Sequence, residues 1–83
     1  MTVDVRLPQW GMTMQEATVA EWVASVGDEV AEGQVLVRVE TEKVTDSVQA
    51  PATGVLVEIV AREGQIVGVG EVLARVEPVE RSS

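Results

Sequence analysis

Cysteine and histidine are both absent from this chain. Without cysteine there is no disulfide, no zinc–thiolate site and no thiol nucleophile, and redox chemistry does not constrain the compartment. Without histidine the commonest general base and metal ligand is missing. Phenylalanine and tyrosine are absent too, which leaves Trp10 and Trp22 as the only aromatics. Positive charge is scarce: six Lys and Arg stand against fourteen Asp and Glu, a net charge of −8. Duplex binding needs the opposite sign to displace counterions from phosphates, so no nucleic-acid partner is expected. An acidic surface instead favours solubility and steers toward basic docking sites. No apolar run is long enough to span a bilayer, so no membrane role is expected. The opening "MTVDVRLPQW" lacks a charged region followed by an apolar one, so no signal peptide is expected and a cytoplasmic location is.

Valine dominates what is present, and β-branched residues suit pleated, half-buried surfaces. Val3, Val5 and Leu7 fall on one face of a strand, with Asp4 and Arg6 on the other. Val35, Val37 and Val39 alternate in the same way with Leu36, Arg38 and Glu40. No segment carries a helical stripe, and "GDEVAEG" allows one turn at most between its glycines. Turn signals recur at Pro8, Gly27-Asp28, Gly33, Pro51, Gly54, Gly64, Gly68 and Gly70. Many short strands with regular punctuation predict a small all-β sandwich or barrel. The 83 residues fit one domain with a modest core.

An internal repeat organises the chain. "VAEWVASVGDEVAEGQVLVRVE" (19–40) matches "LVEIVAREGQIVGVGEVLARVE" (56–77) at a constant offset (58 − 21 = 37). Glu21, Ala24, Gly27, Val30, Gly33, Leu36, Arg38 and Val39 recur as Glu58, Ala61, Gly64, Val67, Gly70, Leu73, Arg75 and Val76. A solenoid needs at least three repeats. Two copies predict two halves facing each other across a pseudo-twofold axis. The repeat carries Lys43, the only lysine, onto Glu80 in the C-terminal tail. An exchange of halves then sets the Lys43 turn and the chain end at opposite ends of the domain.

"VLVRVE" leads into Lys43 and "VTDSVQA" leads away, so Thr41, Glu42 and Lys43 form a tight hairpin turn. The turn has no glycine, which favours type I over a primed type. A lysine at such a tip is solvated and accessible. Read alone, it is an ordinary turn lysine in a chain that otherwise uses arginine. Glu42 and Asp46 read as a solvated acidic rim, Glu40 as rim or recognition group, and Gly54 as a turn glycine first. Trp22 aligns with Ile59 and reads as core. Packing is also favoured for Trp10, and Met12 and Met14 read as loop residues folded back on the barrel. Glu40 and Glu42 lack the pocket-building chain length that an acid–base pair needs.

The stretch "ETEKV", followed by "QAPATGVL" and preceded by "LPQWGMTMQEATVAEW", resembles the lipoyl domain of the acyltransferase component of 2-oxo acid or acetoin dehydrogenase complexes. "GDEVAEGQVL" and "REGQIVGVGEVLARVE" resemble its later strands, so the likeness runs over about residues 3–78. It implies an all-β flattened barrel-sandwich of two antiparallel four-stranded sheets with quasi-twofold symmetry, the hairpin lysine lying opposite the termini. It also implies a carrier domain over 1–78, with 79–83 as a tail or the start of a linker, and not an enzyme in its own right. By the resemblance, lipoic acid is attached to Lys43 in amide linkage, and Glu40, Glu42 and Gly54 serve recognition by the attachment enzyme. The loop from about Gln9 to Gln15 would meet partners.

The implied partners are a lipoate ligase or lipoyltransferase and the thiamine-diphosphate dehydrogenase, acyltransferase and dihydrolipoamide dehydrogenase components. The isolated domain is expected to be a monomer. Two departures stand out: Glu42 replaces the family's usual aspartate, and Ala17 a frequent glycine. "LPQWGMTMQEATVAEW" leans toward acetoin-type or branched-chain-type complexes. Two alternatives share the fold. A biotin carrier usually has methionine on both sides of its lysine, where Glu42 and Val44 stand here. An unmodified interaction module typically lacks the hairpin lysine.

Overall fold

The computed structural model describes residues 1–12 and 14–79. Among them are eight strands: β1 (Val3–Arg6), β2 (Glu16–Trp22), β3 (Glu29–Val30), β4 (Val35–Glu40), β5 (Thr45–Gln49), β6 (Gly54–Ile59), β7 (Ile66–Gly68) and β8 (Val72–Pro78). They form two antiparallel four-stranded sheets, ordered β1-β8-β6-β3 and β5-β4-β2-β7. The architecture is the expected flattened barrel-sandwich. Glu80, the repeat mate of Lys43, and the rest of the tail lie outside the described residues.

The repeat operates as an exchange. The 37-residue offset carries β2, β3 and β4 onto β6, β7 and β8. Substituting each strand by its mate, with β5 standing for β1, turns one sheet order into the other. The main-chain bonds between the halves obey the same rule. The Gly27 N–H donates to the Leu56 carbonyl and the Leu56 N–H to the Asp28 carbonyl, at 2.7 and 2.9 Å. The mates repeat this in reverse: Gly64 N–H to Val19 carbonyl and Val19 N–H to Gln65 carbonyl, at 2.7 and 2.8 Å. Each half therefore closes the other, which a translational repeat cannot do. Gly27 and Gly64 make their turns with φ of 97° and 88°, a region that L-residues with a Cβ avoid.

The core is aliphatic. Leu7, Leu36, Leu56 and Leu73 are its largest fully buried side chains, packed with Val5, Val19, Val37, Val39, Val67 and Val76. No polar side chain of the described residues is buried, so hydrophobic burial holds the sheets together without a polar network to satisfy. Trp22 packs at the margin of this core, and its indole N–H donates to the Ala61 carbonyl at 2.8 Å.

One predicted alternation fails. Strict alternation puts Leu36 on the face opposite Val35, Val37 and Val39, yet Leu36 and Val37 are both buried. The register of β4 on β5 shifts between Val35 and Val37, so Leu36 sits in a bulge. Its carbonyl accepts from both Val23 and Ala24 N–H groups. The bulge recurs at Leu73, whose carbonyl accepts from Val60 and Ala61. Extra twist at these points lets two consecutive side chains enter the core and bends each sheet around it.

Candidate functional site

β4 and β5 are joined by Thr41–Val44. The ladder ends at Glu40 opposite Thr45. Beyond it the Thr41 N–H donates to the Val44 carbonyl at 2.8 Å, while the Val44 N–H donates to the Thr41 hydroxyl oxygen at 3.3 Å. The threonine side chain thus takes the place of a main-chain acceptor and closes the turn. Glu42 and Lys43 are its two central residues. Neither has positive φ, which excludes a primed turn and agrees with the type expected from the sequence. Both are exposed. Among the described residues Lys43 takes part in no ion pair, although Glu40, Glu42 and Asp46 are close along the chain. Its ammonium is presented to solvent.

The second element is the segment after β1. Gln9 Nε2 donates to the Met14 carbonyl at 3.0 Å and the Met14 N–H donates to the Gly11 carbonyl at 3.1 Å, so the segment folds into a closed surface loop. β2 leaves this loop and pairs Thr18 with Glu40, which brings the loop alongside the lysine turn. Between them runs an open groove of about 720 Å³, whose lining includes Trp10, Met14, Glu16, Glu40, Glu42 and Lys43. The hairpin lies far from the start of β1: that strand begins at Val3, paired with Val76, and its continuation reaches the groove of Lys43 only at Trp10.

The predicted site residues divide. Glu40, Glu42 and Lys43 are together on the groove. Gly54 is not with them. It begins β6 in the other sheet, buried between Val30 and Pro78. Nor is it a turn glycine. Its φ is ordinary, but a Cβ would stand 2.8 Å from the Glu77 carbonyl carbon and 2.9 Å from the Pro78 Cα. Its role is to let two backbones approach closely. Asp46 is half-buried, and its carboxylate accepts from the Ser47 N–H.

Trp10, expected to pack, is 40% exposed, and Met12 is 98% exposed; only Met14 folds back onto the core. Glu16 and Thr18 also line the groove. Sequence reasoning missed both, because only the register of β2 against β4 shows that they flank the turn.

The biotin/lipoyl family model, described as "Biotin-requiring enzyme", matches residues 3–76. The chain belongs to the biotin/lipoyl-attachment family. Within that family it is similar to the lipoyl branch. The lipoyl domain of the 2-oxoglutarate dehydrogenase complex from Azotobacter vinelandii superimposes with a TM-score of 0.72 at 36% identity, covering 90% of this chain and 95% of that one. The dihydrolipoyllysine-residue succinyltransferase component of the 2-oxoglutarate dehydrogenase complex from Bartonella vinsonii subsp. berkhoffii is 44% identical over 93% of this chain and 19% of its own length. Acetyltransferase components of the Corynebacterium glutamicum pyruvate dehydrogenase complex and the Pseudomonas putida acetoin cleaving system are 40% and 41% identical. A single-chain, multi-domain long-chain acyl-CoA carboxylase contains a region with a TM-score of 0.76 at 25% identity, 7% of that chain. The lipoyl domain spans a fifth or less of the curated relatives' length. It is a carrier domain of the kind found in multienzyme complexes, not a catalytic unit.

Proposed function

We propose that Lys43 carries lipoate in amide linkage and presents it as a swinging arm to successive active sites of a 2-oxo acid or acetoin dehydrogenase complex in the cytoplasm. One observation carries this reading. The chain's only lysine stands exposed at the tip of a hairpin, in no ion pair among the described residues, beside a closed surface loop. When bound, the dithiolane supplies the redox and acyl-carrying sulfur that a cysteine-free chain lacks. The chain's own residues do the presenting. Thr41 fixes the turn so that the amine projects outward. Glu40 and Glu42 give the turn an acidic signature that an attachment enzyme can read. Gly54 acts through the fold, by keeping β6 close against β8, rather than by contact. The loop of Trp10 and Met12 offers exposed apolar atoms to a dehydrogenase, and tethering raises the arm's effective concentration at each station. The ligase, the thiamine-diphosphate dehydrogenase, the acyltransferase and the dihydrolipoamide dehydrogenase are the corresponding partners.

The test is intact mass after incubation with lipoate ligase and lipoate, in parallel with biotin ligase and biotin. A lipoyl-sized gain is expected, and it should vanish in Lys43→Arg. With no other lysine, the α-amine is the only competing primary amine. A gain with biotin alone would move the domain to carboxylase chemistry, which the neighbours Glu42 and Val44 speak against. A folded sample that gains neither would leave an interaction module.

A further inference from the structure

The groove beside Lys43 is larger than presenting an amine requires. Its lining is also chemically divided. Trp10 and Met14 stand along it with Ala17, and Val44, 56% exposed, stands at the hairpin side. Glu16, Glu40 and Glu42 supply its carboxylates, and Lys43 is its only cation. Amide formation on Lys43 removes that cation. The groove then has apolar walls at Trp10, Met14 and Val44 among neutral polar and acidic groups, an arrangement that repels anions and accepts a small neutral group.

We infer that this groove is a resting seat for the dithiolane ring of the domain's own arm, with Trp10 and Met14 as its walls. The inference rests on the lipoate reading above. Three features converge on that occupant. The arm is rooted in the groove, so its ring is held there at an effective concentration of about millimolar for a short flexible tether. The ring is uncharged, as the acidic surroundings require, whereas phosphates and free carboxylates are repelled. Sulfur also makes favourable contacts with aromatic edges, and Trp10 is the one aromatic on this surface. The exposure of Trp10 thereby acquires a reason that core packing does not give. The seat is shallow and open, so the ring leaves it readily for a partner's active site. Rest and reach alternate in fast exchange.

The experiment compares three mass-verified samples: unmodified, octanoylated and lipoylated. The octanoyl chain has the same acyl length without the ring sulfurs. Each is labelled for the indole N–H groups of Trp10 and Trp22 and for the methionine methyls, with Trp10→Phe used to assign the indole signals. Lipoylation should shift the Trp10 indole and Met14 methyl resonances, leave Trp22 and Met12 in place, and give cross-relaxation between ring protons and the Trp10 indole. Octanoylation should move the same signals several-fold less. In lipoylated Trp10→Ala the Met14 shift should shrink. Equal shifts in the octanoyl and lipoyl samples would overturn a seat for the ring. So would a lipoyl-sized mass with Trp10 and Met14 unmoved, and in that case attachment at Lys43 stands. Absence of any lipoyl gain overturns the seat and the function together.

Discussion

Replacing Gly54 by alanine tests whether this residue serves shape or recognition. The substitution adds one methyl group. At a glycine with compatible backbone and free space, that change stabilises a protein by about 0.4–1 kcal/mol through the unfolded chain. The φ of Gly54 is compatible, but the space is not. The new Cβ overlaps the Glu77 carbonyl and crowds the Pro78 Cα, both main-chain groups that no rotamer change can move aside. β8 must shift away from β6, loosening the pairs Gly54–Pro78 and Val55–Glu77. Overpacking of this kind costs about 1–3 kcal/mol. For a domain of this size that lowers Tm by roughly 5–20 °C, at about 4–8 °C per kcal/mol.

Calorimetry and urea unfolding followed by tryptophan emission measure the change. Lipoylation is then assayed at a temperature where the variant is fully folded. The expected outcome is a lower Tm with lipoylation retained. An unchanged or raised Tm would refute the steric reasoning. A native Tm with lost lipoylation would make Gly54 a contact of the attachment enzyme after all.

Two further outcomes follow from the symmetry. Gly27→Ala and Gly64→Ala each place a Cβ in open space at positive φ, so each should cost about 1–2 kcal/mol of backbone strain, equal within error in urea titrations. The surface ion pairs should differ instead. Arg38 meets Glu21 at 3.5 Å, but its mate Arg75 meets Glu58 at 2.6 Å and also Asp4 at 3.3 Å. The hydrogen bond to Glu58, then its charge, then Asp4 hold the Arg75 guanidinium above its ordinary pKa. Arg75→Gln should lower Tm more than Arg38→Gln, and added salt should narrow the gap.

Much of the fold was legible because the repeat carries its punctuation with it. Gly27, Gly33, Gly64 and Gly70 mark the same turns twice, and all four have positive φ. Lys43 was legible because two strand patterns leave only a tight turn between them. Leu36 was not, because a bulge breaks the two-residue period and nothing in "VLVRVE" marks where the extra residue enters. Gly54 resembles a turn glycine in the sequence because a close approach of two strands depends on a partner sequence more than twenty residues away. The exposure of Trp10 and the place of Glu16 depend on the register of β2 beside the hairpin, which composition does not encode.

The strand orders have a kinetic corollary. Among the described residues, β4 and β5 are the only consecutive strands that pair. Every other pairing must close a longer loop: β2–β4 and β6–β8 pair across an intervening strand within one half, and β1–β8, β3–β6 and β2–β7 join the two halves. Folds dominated by such distant pairings form slowly, in milliseconds to seconds, whereas a lone hairpin forms in about 1–10 μs. The turn that displays Lys43 is therefore the one piece of sheet that can zip up early, before the halves have met. Substitutions at Thr41 or Val44 should register in the folding rate, and those in β8 in the rate of unfolding.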